Sequence, residues 1–157
     1  MRIATWNVNS VRARLQRVLP WLEAQQPDVV CLQELKCIDD EFPRADIEKR
    51  GYHALVFGQK TYNGVAILAR VPHAAGAADV VTGIPGYEDV QKRVLAVTVG
   101  DVRVVDVYIP NGQSVDSDKY RYKLDWLAAV TEWLRDELAQ HPKTVVLGDF
   151  NIAPDDR

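Results

Sequence analysis

The sequence predicts a mixed sheet protein of the α/β or α+β class, because apolar strands alternate with helical segments and one hairpin. Short runs of apolar, largely β-branched residues recur along the chain, as in Val29-Val30-Cys31-Leu32 and Val145-Val146-Leu147. Between such runs lie segments of helical period, above all the one from Ser117 to Gln140. Gly100-Asp101 separates two further strand-like runs and signals a tight hairpin.

Taken in order, Ile3 to Trp6 reads as a buried strand. Ser10 is a candidate N-cap. Val11, Leu15, Val18 and Leu22 then recur at helical spacing. Pro20 interrupts that pattern and predicts a kink or a restart. After the loop at Pro27-Asp28, Val29 to Leu32 forms a buried strand ending at Gln33-Glu34. Asp39 to Arg50 reads as a loop and short helix closed by Gly51. Tyr52 to Phe57 and Gly64 to Ala69 are two more strands, separated by a polar turn. The stretch from Ala74 to Glu88, rich in Gly, Ala and Pro, reads as irregular. Arg93 to Val99 and Val102 to Tyr108 flank the hairpin. On the long helix, Leu124, Leu127, Leu134 and Leu138 mark a stripe that Trp126, Val130 and Trp133 widen. So wide a face predicts packing against a sheet. His141-Pro142 ends the helix, and Thr144 to Leu147 is the last strand. Nearly all-apolar strands are expected to be covered on both faces, yet only two long helices are available to cover them.

The 157 residues suit one domain with a real core. Hydrophobic residues at 47% and charged residues at 26% are the balance of a globular protein. No run of apolar residues is long enough to span a bilayer, so no membrane partner is expected. The N-terminus lacks the plan of a signal peptide, which makes a cytoplasmic location the expectation. Of the two cysteines, Cys31 sits in an apolar run and Cys37 in a polar one. Their spacing, without nearby His, makes a poor zinc site. The net charge of −3 argues weakly against a nucleic-acid partner. Its distribution matters more. Arg12, Arg14 and Arg17 cluster, as do Lys92-Arg93, and as do Lys119, Arg121 and Lys123. Solvated faces are the plain reading of these clusters.

Polar residues follow apolar runs directly. Asn7, Glu34, Tyr108, and the pair Asp149 and Asn151 all stand at such places. Sheet proteins gather ligand and catalytic groups at strand ends, where the backbone is rigid and loops leave room. Carboxylates with amide oxygens suit a hard cation. Each residue alone fits a turn or a strand end equally well.

Specific motifs add to this reading. Thr5-Trp6-Asn7-Val8-Asn9-Ser10-Val11-Arg12 and Pro27-Asp28-Val29-Val30-Cys31-Leu32-Gln33-Glu34-Leu35-Lys36 resemble segments of the exonuclease III and abasic-site endonuclease family. That family lies within the endonuclease/exonuclease/phosphatase superfamily. Gly58-Gln59-Lys60, Tyr62-Asn63-Gly64-Val65-Ala66-Ile67, Tyr108-Ile109-Pro110-Asn111-Gly112 and Gly148-Asp149-Phe150-Asn151-Ile152-Ala153-Pro154 continue the resemblance in the same order.

The resemblance implies a four-layer α-β-β-α sandwich, with a mixed, mostly antiparallel sheet flanked by helices. It implies a Mg²⁺-dependent DNA-repair nuclease, with Mn²⁺ as a substitute. The substrate would be double-stranded DNA with abasic sites or 3′ ends, cut 5′ of the abasic site or degraded 3′→5′. Glu34 would bind the metal, and Asn7 would help place it. Tyr108 would contact the scissile phosphate. Asp149 would orient and deprotonate the attacking water, and Asn151 would hold a phosphate oxygen or the metal. Arg12, Lys36, Arg93, Lys119 and Arg121 would be DNA-binding residues. The family pattern continues with a further Asp and a Ser-Asp-His motif, and none of His53, His73 and His141 stands in such a motif. Residues 1–157 are therefore expected to form an incomplete nuclease domain, inactive alone, with one sheet face bare, and monomeric when full length. A catalytically incomplete DNA- or partner-binding module is the alternative.

Overall fold

The computed structural model describes residues 1–71 and 77–153. His73 and Pro154, singled out in the sequence, lie outside the described residues. Among the described residues, eight strands and three α-helices follow one another. They are β1 (Ile3–Asn7), α1 (Val11–Gln25), β2 (Val29–Gln33), α2 (Arg44–Glu48), β3 (Tyr52–Phe57), β4 (Val65–Arg70), β5 (Ala77–Thr82), β6 (Val94–Val99), β7 (Val102–Tyr108), α3 (Asp118–Gln140) and β8 (Thr144–Asp149). No helix among the described residues is long and apolar enough to cross a membrane.

The strands form two four-stranded sheets, ordered β1-β2-β4-β3 and β5-β6-β7-β8. In each, one edge pair is parallel, β1 with β2 and β7 with β8, and the remaining pairs are antiparallel. Period-two alternation splits every central strand between two cores. Val30, Leu32, Ala66 and Leu68 face α1, meeting its Val11, Val18 and Leu22. Val29, Cys31, Val65 and Ile67 face the second sheet, meeting Leu95, Val97 and Val104. Val94, Ala96, Val105 and Val107 face α3. The layers are α-β-β-α, as the resemblance implies.

Several expectations need correction. Among the described residues neither sheet has a bare face. The two sheets cover each other, and one long helix covers each outer face, so two long helices suffice. What stays partly open are the two edge strands of the second sheet, β8, whose residues are all half-buried, and the more exposed β5. Helix α1 runs unbroken through Pro20. The missing Pro20 N–H loses one bond, but its ring lies on the exposed side. The stretch read as irregular contains β5, an exposed edge strand with a bulge between Ala78 and Val81. On α3 the buried stripe is Trp126, Val130, Trp133 and Glu137. Leu124 and Leu138 lie on its shoulders, 48% and 52% exposed. Glu137 belongs to the stripe because Arg103, buried on β7, donates to it at 2.6 Å. Cys31 and Cys37 are both buried and free, Cys37 despite its polar neighbours.

Candidate active site

The parallel edge pairs bring four strand ends together. Asn7 pairs with Gln33 at the end of β1 and β2, and Tyr108 pairs with Asp149 at the end of β7 and β8. Both pairs abut because β1 lies against β8 across the sandwich, where Asn7 hydrogen-bonds Asp149.

Glu34 follows β2 with φ of +57°. An ordinary residue rarely adopts this left-handed conformation, which costs roughly 1–2 kcal/mol. Backbone bonds on both sides impose it. The Glu34 carbonyl accepts from Ser10 N at 2.8 Å, and Leu35 N and Lys36 N donate to the Gly64 and Asn63 carbonyls at 3.1 and 3.0 Å. The result aims the Glu34 carboxylate back across the strand ends. Asn151, with φ of +47°, is turned in the same way after β8. Such strain persists where surroundings over-determine it, and here it gathers at the site.

Asn7 is the hub. Its Nδ2 donates to Glu34 Oε1 at 2.8 Å and to Asp149 Oδ2 at 2.7 Å. The Tyr108 hydroxyl donates to the same Glu34 oxygen at 2.9 Å. Lys36 Nζ lies 3.1 Å from Glu34 Oε2 and bonds Asn9 Oδ1 at 2.5 Å. Burial pushes the Glu34 carboxyl up, but the hydrogen bonds from Asn7, Lys36 and Tyr108 and the Lys36 charge together hold it below its ordinary value. Burial, followed by the Glu34 hydrogen bond and charge, pushes the Tyr108 phenol up to about 12. Tyr108 is therefore a protonated donor at neutral pH. Asp149 Oδ1 accepts from Asn151 N at 3.0 Å, and Asn151 Nδ2 donates to the Ile109 carbonyl at 2.9 Å.

Gly148 lets β8 come this close. Its φ is +147°, and a Cβ there would lie 1.9 Å from the Val107 carbonyl oxygen. No other residue fits between Leu147 and Asp149 without moving β8.

A cavity of about 370 Å³ opens beside the cluster, lined by Thr5, Asn7, Gln33, Asp149, Phe150 and Asn151 among others. A second, of about 440 Å³, opens on the other side of Tyr108 and is lined by Asn63, Arg93, Asn111, Lys119 and Tyr122 among others. Arg93 is buried there, and among the described residues no carboxylate pairs with it. It stacks 4.7 Å over the Tyr108 ring, donates to the Tyr108 carbonyl at 3.0 Å, and bonds Gln91 and Tyr122 as well.

The structure thus brings Asn7, Glu34, Tyr108, Asp149 and Asn151 into one cluster, with Arg93 and Lys119 lining the adjoining cleft. Lys36 belongs to the cluster itself. Arg12 pairs with Glu41 at 3.2 Å, and exposed Arg121 pairs with Asp118 at 2.5 Å. Sequence reasoning missed the supporting roles of Lys123, Thr5, Gln33 and Asp106. Lys123 is buried and its Nζ holds the Asn151 carbonyl at 2.6 Å. Asp106 had a visible signal, an acid inside the apolar run Val104-Val105-Asp106-Val107.

The donor set fits a hard divalent cation. Two carboxylates, Glu34 and Asp149, meet at one amide, and oxygen rather than sulfur or imidazole is on offer. Among the described residues no three His, Cys, Asp or Glu side chains gather as a ready cage. A cation that keeps several of its waters, as Mg²⁺ does, needs no such cage.

Comparison with known proteins agrees with this architecture. The chain is 33% identical to exodeoxyribonuclease III of Haemophilus influenzae, over 99% of this chain and 59% of that protein. A solved 3′ phosphatase from Neisseria, bound to a product DNA hairpin, superposes with a TM-score of 0.94 at 50% identity, covering 99% of this chain and 60% of that one. An AP endonuclease from Archaeoglobus fulgidus superposes with a TM-score of 0.91 at 37% identity, over 99% and 59% of the two chains. The chain thus spans about 60% of the length of these relatives. Residues 4–157 match the Endonuclease/Exonuclease/phosphatase family. With two helix-flanked sheets meeting at a carboxylate-amide-phenol cluster, the chain belongs to that family.

Proposed function

We propose that the whole protein carrying this chain is a metal-dependent DNA-repair nuclease that hydrolyses phosphodiesters 5′ of abasic sites and from 3′ ends. One observation carries the reading: Glu34, Asn7, Tyr108 and Asp149 are joined by hydrogen bonds of 2.7–2.9 Å at the meeting point of four strands. Membership of a nuclease-containing family and likeness to DNA-acting relatives support it.

A phosphodiester is anionic and resists attack by hydroxide. Mg²⁺, or Mn²⁺ in its place, held by Glu34 and Asp149 with Asn7 and Asn151 beside them, would neutralise that charge and ease departure of the 3′ oxygen. The chain's own residues supply the rest. Tyr108 remains protonated, so it offers an O–H to a non-bridging oxygen where charge grows. Asp149 accepts the proton of the attacking water. Asn7 and the Asn151 backbone N–H fix both Asp149 oxygens, so its orientation is set before substrate arrives. Lys36 holds Glu34 from behind. Arg93 and Lys119 line the cleft beside Tyr108, where they meet neighbouring phosphates; Arg12 and Arg121 lie outside that cleft and would contact the duplex further away. Contacts of this kind position DNA without reading sequence.

Incision of a duplex carrying one abasic-site analogue tests the reading. The whole protein should cut with Mg²⁺ and not with EDTA, and Glu34→Gln and Asp149→Asn should each abolish cutting. A protein that binds the duplex but never cuts it would instead be the binding module.

A further inference from the structure

Beneath the cluster lies a second polar layer that the proposed chemistry does not use. Asp106 is fully buried on the face of β7 that meets the other sheet, two residues before Tyr108. Gln33 ends β2, directly before Glu34, and Thr5 stands on β1, two residues before Asn7. Gln33 Nε2 donates to Asp106 Oδ1 at 2.7 Å. The Gln33 amide also bonds the Thr5 hydroxyl, at 3.0 Å through Nε2 and 3.2 Å through Oε1. The Gln33–Asp106 bond crosses the sandwich, from β2 of one sheet to β7 of the other, while the Thr5 bonds tie β1 to β2 within the first sheet, where Thr5 is exposed.

Asp106 is a poor choice for stability. Its Oδ2 is buried with no hydrogen-bond partner, and among the described residues no Lys, Arg or His pairs with it. Its surroundings are the aliphatic inter-sheet core and the buried Cys31 thiol, which burial first of all keeps protonated. Replacing both Asp106 and Gln33 with apolar residues would suit the core better. What an apolar residue cannot supply is direction. Contacts among Val, Ile and Leu are non-directional and tolerate small slips of one sheet over the other, whereas a buried hydrogen-bonded network specifies one arrangement. The slip matters here because Tyr108 and Asp149 stand on one sheet, and Asn7 and Glu34 on the other.

We propose that Asp106 is a positioning residue that, through Gln33 and Thr5, holds the two sheets in the register that sets Tyr108 against Glu34 and Asp149 against Asn7. The catalytic consequence rests on the function proposed above; the alignment itself is readable without substrate.

The test compares Asp106→Asn, which keeps an oxygen for Gln33 Nε2, with Asp106→Val, which keeps the branching but no acceptor. The side-chain amide signals of Asn7 and Gln33 in ¹⁵N–¹H spectra report the alignment, and melting reports the fold. D106N should leave the Asn7 signals in place. D106V should shift or broaden them while the chain stays folded. In the whole protein, D106V should lower kcat on an abasic duplex roughly tenfold or more, leave KM within about twofold, and D106N should restore kcat. Should D106V fail to fold, the double variant Asp106→Val with Gln33→Met removes both partners at once, and its Asn7 signals decide instead. Unchanged Asn7 signals in a folded variant without the acceptor overturn the proposal. So does a loss that D106N and D106V share in proportion to melting temperature. If the parent protein does not cut at all, the nuclease reading fails, and the Asn7 signals still decide the positioning role.

Discussion

Replacing Gly148 with alanine should unseat β8 and with it Asp149. The backbone at Gly148 has φ of +147°, in a region held almost only by glycine. Placing an L side chain there costs about 1–3 kcal/mol. The added Cβ would also lie 1.9 Å from the Val107 carbonyl oxygen and 2.8 Å from its carbon. Backbone cannot rotate away as a side chain can, so β8 must separate from β7, an overpacking cost of about 1–3 kcal/mol more. Together the loss is about 4 kcal/mol, a large part of the 5–15 kcal/mol that holds an ordinary domain folded. For a chain of this size each kcal/mol moves the melting point by about 2–4 °C, so Tm should fall by roughly 8–16 °C. Gly100→Ala is the matched control. Its φ is +64° and no atom lies within 4 Å of the added carbon, so it should lose only the backbone part, about 1 kcal/mol. Scanning calorimetry on both variants gives the answer. A G148A chain melting within about 2 °C of G100A would refute the argument from close approach.

Glu137→Ala should destabilise by roughly 3–5 kcal/mol in urea unfolding, because it strands the Arg103 guanidinium, 1% exposed, in the core; the double variant Arg103→Met with Glu137→Leu should recover most of that loss. Asp106→Asn should stabilise in a pH-dependent way. Burial raises the Asp106 carboxyl well above 3.8, so the folded chain keeps a proton that the unfolded chain releases, and the native state loses stability as pH rises past that value. Melting of D106N should therefore gain on the parent between about pH 4 and about pH 7, and a gain independent of pH counts against a buried acid. Mg²⁺ at about 100 times its dissociation constant should raise the melting temperature of the whole protein by about 5–10 °C, and Glu34→Gln should remove the rise. Glu34 itself is held below 4.5. The stability that it contributes is thus fully present above that value and is lost as pH falls through the lower folded one.

Strand and helix periods made most of the fold legible. Short β-branched runs such as Val29 to Leu32 suit doubly covered strands, and Ser117 and Gln140 bracket α3 almost as the structure does. β5 was invisible because an edge strand that is mostly exposed needs no apolar alternation. The true stripe of α3 was hidden because leucines drew attention away from Glu137, which is buried only by virtue of Arg103 on a distant strand. The site residues were visible as polar side chains after apolar runs. Their convergence was not, since it depends on left-handed turns at Glu34 and Asn151 that no local pattern demands. The bond of Lys36 to Glu34 depends on that same turn.

The bond from Asn7 to Asp149 joins residues 142 positions apart, and this separation orders events in time. Contacts so distant in sequence form late, since the chain must lose its freedom over the whole span before they repay it. On a ribosome, β1 emerges first and β8 follows only after β2 to β7 have been made. Asn7 and Glu34 can meet early, but Asp149 cannot join them until then. A growing chain therefore has no assembled cluster of Asn7, Glu34, Tyr108 and Asp149 until β8 has joined the sandwich around it.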